Sequence, residues 1–250
     1  METGEGDMSA LASLLPSGAY SFSGAFDFIF NEQTSNVTGG DKVGGIDQVL
    51  ELAATQIEVT ILALLVSLVV ALPIGLYFGH RGRGEFAAVA IGNAGRAIPE
   101  LALIALMAVL IGVGTLNLTI ALAILGIPPI LTNAFVGIRQ ADPASVDAAR
   151  GMGMTGFEVL RKVELPLAVP SIMQGVRGST VNIVATATIA PLAGVLTLGD
   201  FIINENVYGA DGLLAGAILV AILALIFEFG LAALQRQLTS KGLKLQQATD

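Results

Sequence analysis

Five apolar runs, each close to the roughly 20 residues that a helix needs to cross a bilayer, limit what this chain can fold into. They extend from about Ile57 to Phe78, Phe86 to Val113, Leu118 to Ile138, Ile172 to Val195 and Leu213 to Leu234. Charged residues make up only 13% of the chain and hydrophobic ones 54%, against roughly 25% charged in a soluble domain. In lipid every backbone polar group must be bonded within the protein, so runs of this length read as helices. A membrane β-barrel would instead show alternating segments of about 10 residues, which this chain lacks. The expectation is an all-α polytopic membrane helical bundle of about five spans, residues 51–236, between an N-terminal tail of residues 1–50 and a polar tail of residues 237–250. Pro73 and Gly75 in the first run predict a kink, and Pro99 interrupts the second.

Lysine and arginine set the orientation. Arg81 and Arg83 follow the first run, Arg139, Arg150, Arg161 and Lys162 the third, and Arg236, Lys241 and Lys244 the fifth, while Lys42 is the only base on the other side. With an odd number of spans these basic loops share one face. That predicts an outer N-terminus, a cytoplasmic C-terminus and a cytoplasmic segment 139–166 in a multi-pass protein of the cell membrane. The acids Glu2, Glu5, Asp7, Asp27, Glu32, Asp41, Asp47 and Glu51 all precede the first run, so much of the net charge of −8 lies outside and does not call for a basic partner. The outer tail also holds an aromatic stretch, Tyr20–Phe30, broken by Gly24 and expected at the membrane interface, and a sequon at Asn36-Val37-Thr38. It lacks the basic start of a secretory signal. Cysteine is absent and His80 is the single histidine, so neither a thiolate nor a His-rich metal centre is expected, and no cofactor is expected on this chain.

The segment 139–166 is a polar island. Asp142 fits a helix cap and Pro143 its first turn; Ala144 to Met152 then read as a short helix with Asp147 near its positive end. Gly153 stops that helix, because glycine takes the left-handed conformation of a C-terminus. Thr155-Gly156-Phe157-Glu158 fits a capping box that starts a second helix, which Pro166 is expected to end. Small residues (Ala148, Ala149, Gly151, Gly153) would leave a shallow exposed surface for another protein. The plainer alternative is an amphipathic loop tucked under the spans.

Asp147-Ala148-Ala149, then Gly153, then Val163 and Leu165-Pro166 resembles, at matching spacing, the Glu-Ala-Ala…Gly…Ile-x-Leu-Pro pattern of the permease subunits of ABC importers. Asp replaces Glu and Val replaces Ile. The resemblance covers roughly residues 50–235. It implies a bundle of the type I ABC importer kind and a coupling helix seated in a cytoplasmic ATPase, with Asp147, Ala148, Ala149, Gly151, Gly153, Val163, Leu165 and Pro166 as ATPase-coupling residues. It also implies an extracytoplasmic substrate-binding protein and a second permease chain, identical or paralogous. Gly151-Met152-Gly153-Met154-Thr155, Lys162 to Ala168, Gly199-Asp200-Phe201-Ile202 and Ala97-Ile98-Pro99 are similar to permeases for glycine betaine, choline and related osmoprotectants. Importers of methionine and other amines share much of this framework. The chain has no Gly-x-x-x-x-Gly-Lys-Ser/Thr loop, so ATP is expected to be used by the partner subunit and the chain is not expected to be an enzyme.

Within the spans, Ser179, Asn182 and Thr186 fall within about a 60° arc at 100° per residue. This stripe reads either as translocation-pathway lining or as interhelical hydrogen bonding. Arg96 and Glu100, four apart around Pro99, read as a pathway contact or as a structural pair; a lone charge at mid-membrane costs at least roughly 2.5–3.5 kcal/mol. Arg177 is expected to snorkel or to pair with Glu164, and Glu228 to face the bundle or lie at the inner boundary. Asp47, Glu51 and Glu58 share a helical face that could meet a binding protein or simply be solvated. A quaternary amine is usually held by an aromatic cage; the chain has no Trp and three Tyr, so the high-affinity site is expected on a separate binding protein. A secondary carrier would predict inverted repeats, and an intramembrane enzyme would predict a His-Glu-x-x-His, paired-Asp or Ser/His arrangement; neither signature is present. A purely structural subunit remains compatible with the sequence.

Overall fold

The computed structural model describes residues 21–239, the side chains of Val89 and Arg96 excepted. Tyr20 and the polar C-terminal tail from residue 240 on therefore lie outside the described residues. Residues 22–44 are more than a tail. They form α1 (Phe22–Phe30) and a two-stranded antiparallel ribbon, β1 (Glu32–Thr34) and β2 (Lys42–Gly44), with Glu32 opposite Gly44. The expected aromatic stretch is split by helical periodicity. Phe22, Phe26 and Phe30 are exposed, whereas Ala25, Phe28 and Ile29 are buried. Phe28 packs edge-on against Phe201 and Tyr208. Gly24 is where the helix meets a side chain: an added Cβ would strike the Asp211 carboxylate.

The first apolar run is part of α2 (Gly45–Arg81), which begins well before Ile57 and ends on left-handed Gly82. The second is broken: α3 (Glu85–Ala97) and α4 (Glu100–Ile111) meet at Pro99 with a bend of 91°. Proline removes a backbone donor and disfavours helix at the residue before it, Ile98, which is extended. The third run is α5 (Thr115–Arg139), the centre of the bundle, with α2, α3, α4 and the fourth run's helix packed around it. The chain then forms α6 (Pro143–Gly151), α7 (Gly156–Val159), a π turn (Leu160–Glu164) and α8 (Leu165–Thr186). A 3-10 turn (Ala187–Ala193) and the short α9 (Gly199–Ile203) lead to α10 (Glu205–Leu238), whose helix is interrupted at Gly209.

Among the described residues, α2, α5 and α10 are each long and apolar enough to cross a membrane, and the α3–α4 pair, bent by 91°, has the length and composition of a broken span or a re-entrant loop. The fourth run's helix, α8, is 22 residues long but carries Gln174, Arg177, Ser179, Thr180, Asn182 and Thr186. Ser179, Thr180 and Thr186 are buried where the helix packs against α5, α10 and α2, whereas Gln174 is exposed and Arg177 and Asn182 are half-buried.

Glycines set the helix spacing. Gly75 and Gly79, four apart on α2, lie flush on α5, where an added Cβ would come within 2.8 Å of the Leu131 carbonyl and 2.9 Å of Ile138 Cβ. Gly175 of α8 does the same to α5, at 2.8 Å from the Pro129 carbonyl. Small residues that let backbones approach are the usual means of holding membrane helices together. One buried polar side chain ties the half of the bundle away from segment 139–166: the Gln56 amide donates to the Val184 carbonyl at 3.1 Å and accepts from the Leu198 N–H at 3.1 Å.

Candidate functional site

The island folds as a hairpin whose first arm follows the sequence reading. Asp142 caps α6, accepting from the Ala144 and Ser145 N–H groups, with Pro143 in the first turn. These bonds, led by that from the Ser145 hydroxyl, hold the Asp142 carboxyl below its ordinary range. Gly153 has φ +83°, and an added Cβ there would touch nothing within 4 Å. Asp147, Ala148 and Gly151 are exposed, as are Met152 and Phe157 at 72% and 69%. Ala149, expected on that surface, is 2% exposed, buried where the two arms pack together.

The second arm starts on the predicted capping box. The Thr155 N–H donates to Glu158, and the Glu158 N–H donates to the Thr155 hydroxyl. The Thr155 N–H, the Lys162 ammonium and the Thr155 hydroxyl together lower the Glu158 carboxyl from 4.5 to about 2. A depressed folded pKa means that this cap contributes fully above pH 4.5 and is lost as the pH falls toward 2. The protection factor of the Glu158 amide is therefore expected to be flat above that window and to collapse within it; amide exchange read by mass spectrometry checks this.

Pro166 does not end this arm. The helix runs without a break from Gly156 to Thr186, through the π turn. There the Leu165 N–H reaches back five residues to the Leu160 carbonyl. A π turn inserts one extra residue, which makes room for a proline that lacks a donor and would crowd the preceding turn. The insertion also keeps one face in phase: Val159, Glu164, Ala168 and Ile172 are all buried. Val163, Leu165 and Pro166 are half-buried beside them. Glu164 consequently points inward, where it meets His80 Nδ1 at 2.6 Å. The expected Arg177–Glu164 pair does not form. Arg177 lies more than three helical turns further on and instead pairs with Glu228 and donates to Gln235 of α10.

Along α8 runs a trough in two connected parts. The cleft nearer the hairpin, about 1190 Å³, is lined by Asn133, Gln140, Gln174, Arg177, Glu228 and Gln235, among others. The one further from it, about 520 Å³, shares Asn133, Gln174 and Gly178 with it and adds Asn93, Glu100, Thr132 and Asn182. The open face of α8 is thus Gln174, Gly178 and Asn182, spaced four apart. Of the predicted stripe, Asn182 lies on it. Thr186 is buried and donates to the Glu100 carboxylate at 2.7 Å, which fixes that acid at the end of the trough far from the hairpin. Ser179 is turned away and donates to the Gly126 carbonyl of α5, an interhelical packing bond. Arg96 lies in α3, but its side chain is outside the described residues, and the expected Arg96–Glu100 pair with it.

Residues 71–240 match the family model of the binding-protein-dependent transport system inner membrane component. The chain belongs to this family. It is 35% identical over 198 residues to the Bacillus subtilis glycine betaine/carnitine/choline transport system permease protein OpuCB, covering 79% of this chain and 91% of the relative. It is 38% identical over 187 residues to the Listeria monocytogenes carnitine transport permease protein OpuCB, covering 74% and 86%. Among solved structures, a chain of the MetNI methionine ABC transporter in an inward-facing conformation superposes with a TM-score of 0.67 at 21% identity, covering 78% of this permease and 98% of that chain. The permease is therefore an all-α membrane bundle of the type I ABC importer kind. Its hairpin and trough were partly visible beforehand: the motif marked Asp147 to Pro166, whereas Gln174, Asn133 and the His80–Glu164 contact carried no local signal.

Proposed function

We propose that this permease moves a small osmoprotectant such as glycine betaine, carnitine or choline into the cell, driven by a separate ATPase. Two ATPase subunits dock on the hairpins of two permease chains, through Asp147, Ala148, Gly151 and Gly153, with Ala149, Val163, Leu165 and Pro166 shaping the root beneath. An extracytoplasmic binding protein delivers the substrate at the face holding the outer N-terminus. The second permease chain, identical or paralogous, closes the trough. Glu100, Asn182 and Thr186 belong to its outer part, Ser179 supports it from behind, and Arg96 lies in the helix that flanks it. ATP is consumed by the partner, with no cofactor on this chain.

One observation carries this reading: the helix that begins in the hairpin is the same helix that lines the polar trough. Movement imposed on the hairpin is therefore movement of the pathway wall, a rigid-body rocking of the kind that alternates access. The names of the relatives support the substrate class. The test is uptake of labelled glycine betaine and of choline by cells without their own osmolyte importers, supplied with this chain, its ATPase and its binding protein. Uptake that requires the ATPase is expected. If the complex assembles and takes up neither compound, the substrate class is wrong; if uptake proceeds without the ATPase, so is the coupling.

A further inference from the structure

His80 and Glu164 are 84 positions apart in sequence and in contact at 2.6 Å. His80 occupies the last turn of α2, and Glu164 the π turn at the root of the hairpin. The Glu164 side chain is only 6% exposed. The other edge of the imidazole faces the hairpin's second arm: an added Cβ on Gly156 would lie 3.3 Å from His80 Nε2. His80, Glu164 and Asp147 line one small cavity of about 220 Å³, with Arg139 and Arg150 as its other charged walls. The contact therefore sits directly behind the exposed face of α6. Without the extra residue of the π turn, Val163 and not Glu164 would follow Val159 on the buried face.

We propose that the His80–Glu164 contact is a positioning latch that carries displacement of the hairpin to α2 as well as to α8. The hairpin is already continuous with α8. Its direct polar link to α2 is this contact, and α2 in turn lies flush on α5 through Gly75 and Gly79. With the latch closed, the hairpin ends of α2 and α8 move together when the hairpin is pushed; with it open, that end of α2 is held to α8 only by packing, the Gln56–Val184 bond joining the two helices further along. The inference rests on the reading that an ATPase docks on this hairpin.

The experiment uses the full complex of permease, ATPase and binding protein in proteoliposomes, and reads substrate taken up per ATP hydrolysed. The decisive variant is His80→Leu with Glu164→Leu, because replacing both members of a buried pair by apolar groups leaves no orphaned charge. We expect this variant to assemble and to hydrolyse ATP, with uptake per ATP lower by about fivefold or more, the lower end of typical coupling between sites. His80→Gln, whose amide still donates to Glu164, is expected to fall between wild type and the double variant. An unchanged ratio in the double variant overturns the latch. So does failure of that variant to assemble, or a parallel fall in uptake and hydrolysis, since the pair would then serve assembly or turnover alone. If wild type itself shows no ATPase-dependent uptake, the underlying reading fails, and it does so independently of the variants.

Discussion

Gly153→Glu should abolish energised uptake while leaving the permease folded in the membrane. The backbone cost is small: a side chain at φ +83° is disfavoured by roughly 1–2 kcal/mol, and no neighbour within 4 Å obstructs it. The functional cost is large, because the new carboxylate would stand among exposed Gly151, Met152 and Asp147, on the face proposed to enter the ATPase. Burying an unpaired charge at a partner interface costs several kcal/mol, and each 1.4 kcal/mol is about tenfold in binding. Loss of ATPase co-purification and a fall in uptake of about a hundredfold are therefore expected. Gly153→Ala separates the two contributions: it carries the backbone cost without the charge and should retain most of the uptake. Full activity in Gly153→Glu would remove this surface from the coupling interface.

Gln56→Leu should destabilise the isolated chain more than any single change on the lipid-facing side of α2. Gln56 is fully buried and satisfies both the Val184 carbonyl and the Leu198 N–H. Leucine would leave both groups unpaired at about 1–3 kcal/mol each. By contrast Val69, which is 73% exposed on the same helix, should accept leucine with almost no effect. Thermal unfolding midpoints of the two variants in one detergent compare them directly. Equal midpoints would show that the Gln56 bonds contribute nothing net.

The contrast between these two glycine- and glutamine-centred sites shows what kind of information was legible in the sequence. Gly153, Asp142 and the Thr155–Glu158 box act within a few residues of chain, so their spacing alone revealed the caps and the turn. Apolar runs likewise revealed the spans, and the proline at position 99 the break in the second. Gln56, His80 and Glu164 act across 84 to 142 positions, and nothing in a local window distinguishes them from an ordinary polar residue in a helix. The stripe on α8 lies between these cases. Its angular spread was right, but helical periodicity gives only relative directions, and packing decided that Asn182 opens to the trough while Ser179 turns into α5. Pro166 misled because proline usually ends a helix; here a widened turn absorbed it.

The unbroken course of that helix has a mechanical corollary. From Val159 to Thr186 it measures about 40 Å at roughly 1.5 Å per residue. If it is tilted by about 5° about the π turn, Thr186 swings through roughly 3 Å, more than the radius of the helix backbone itself. Thr186 holds the Glu100 carboxylate, which begins α4 just beyond the bend at Pro99. A rotation too small to disturb the packed root would thus be magnified into a displacement large enough to drag an acidic group across the mouth of the trough, with Pro99 as the joint that yields.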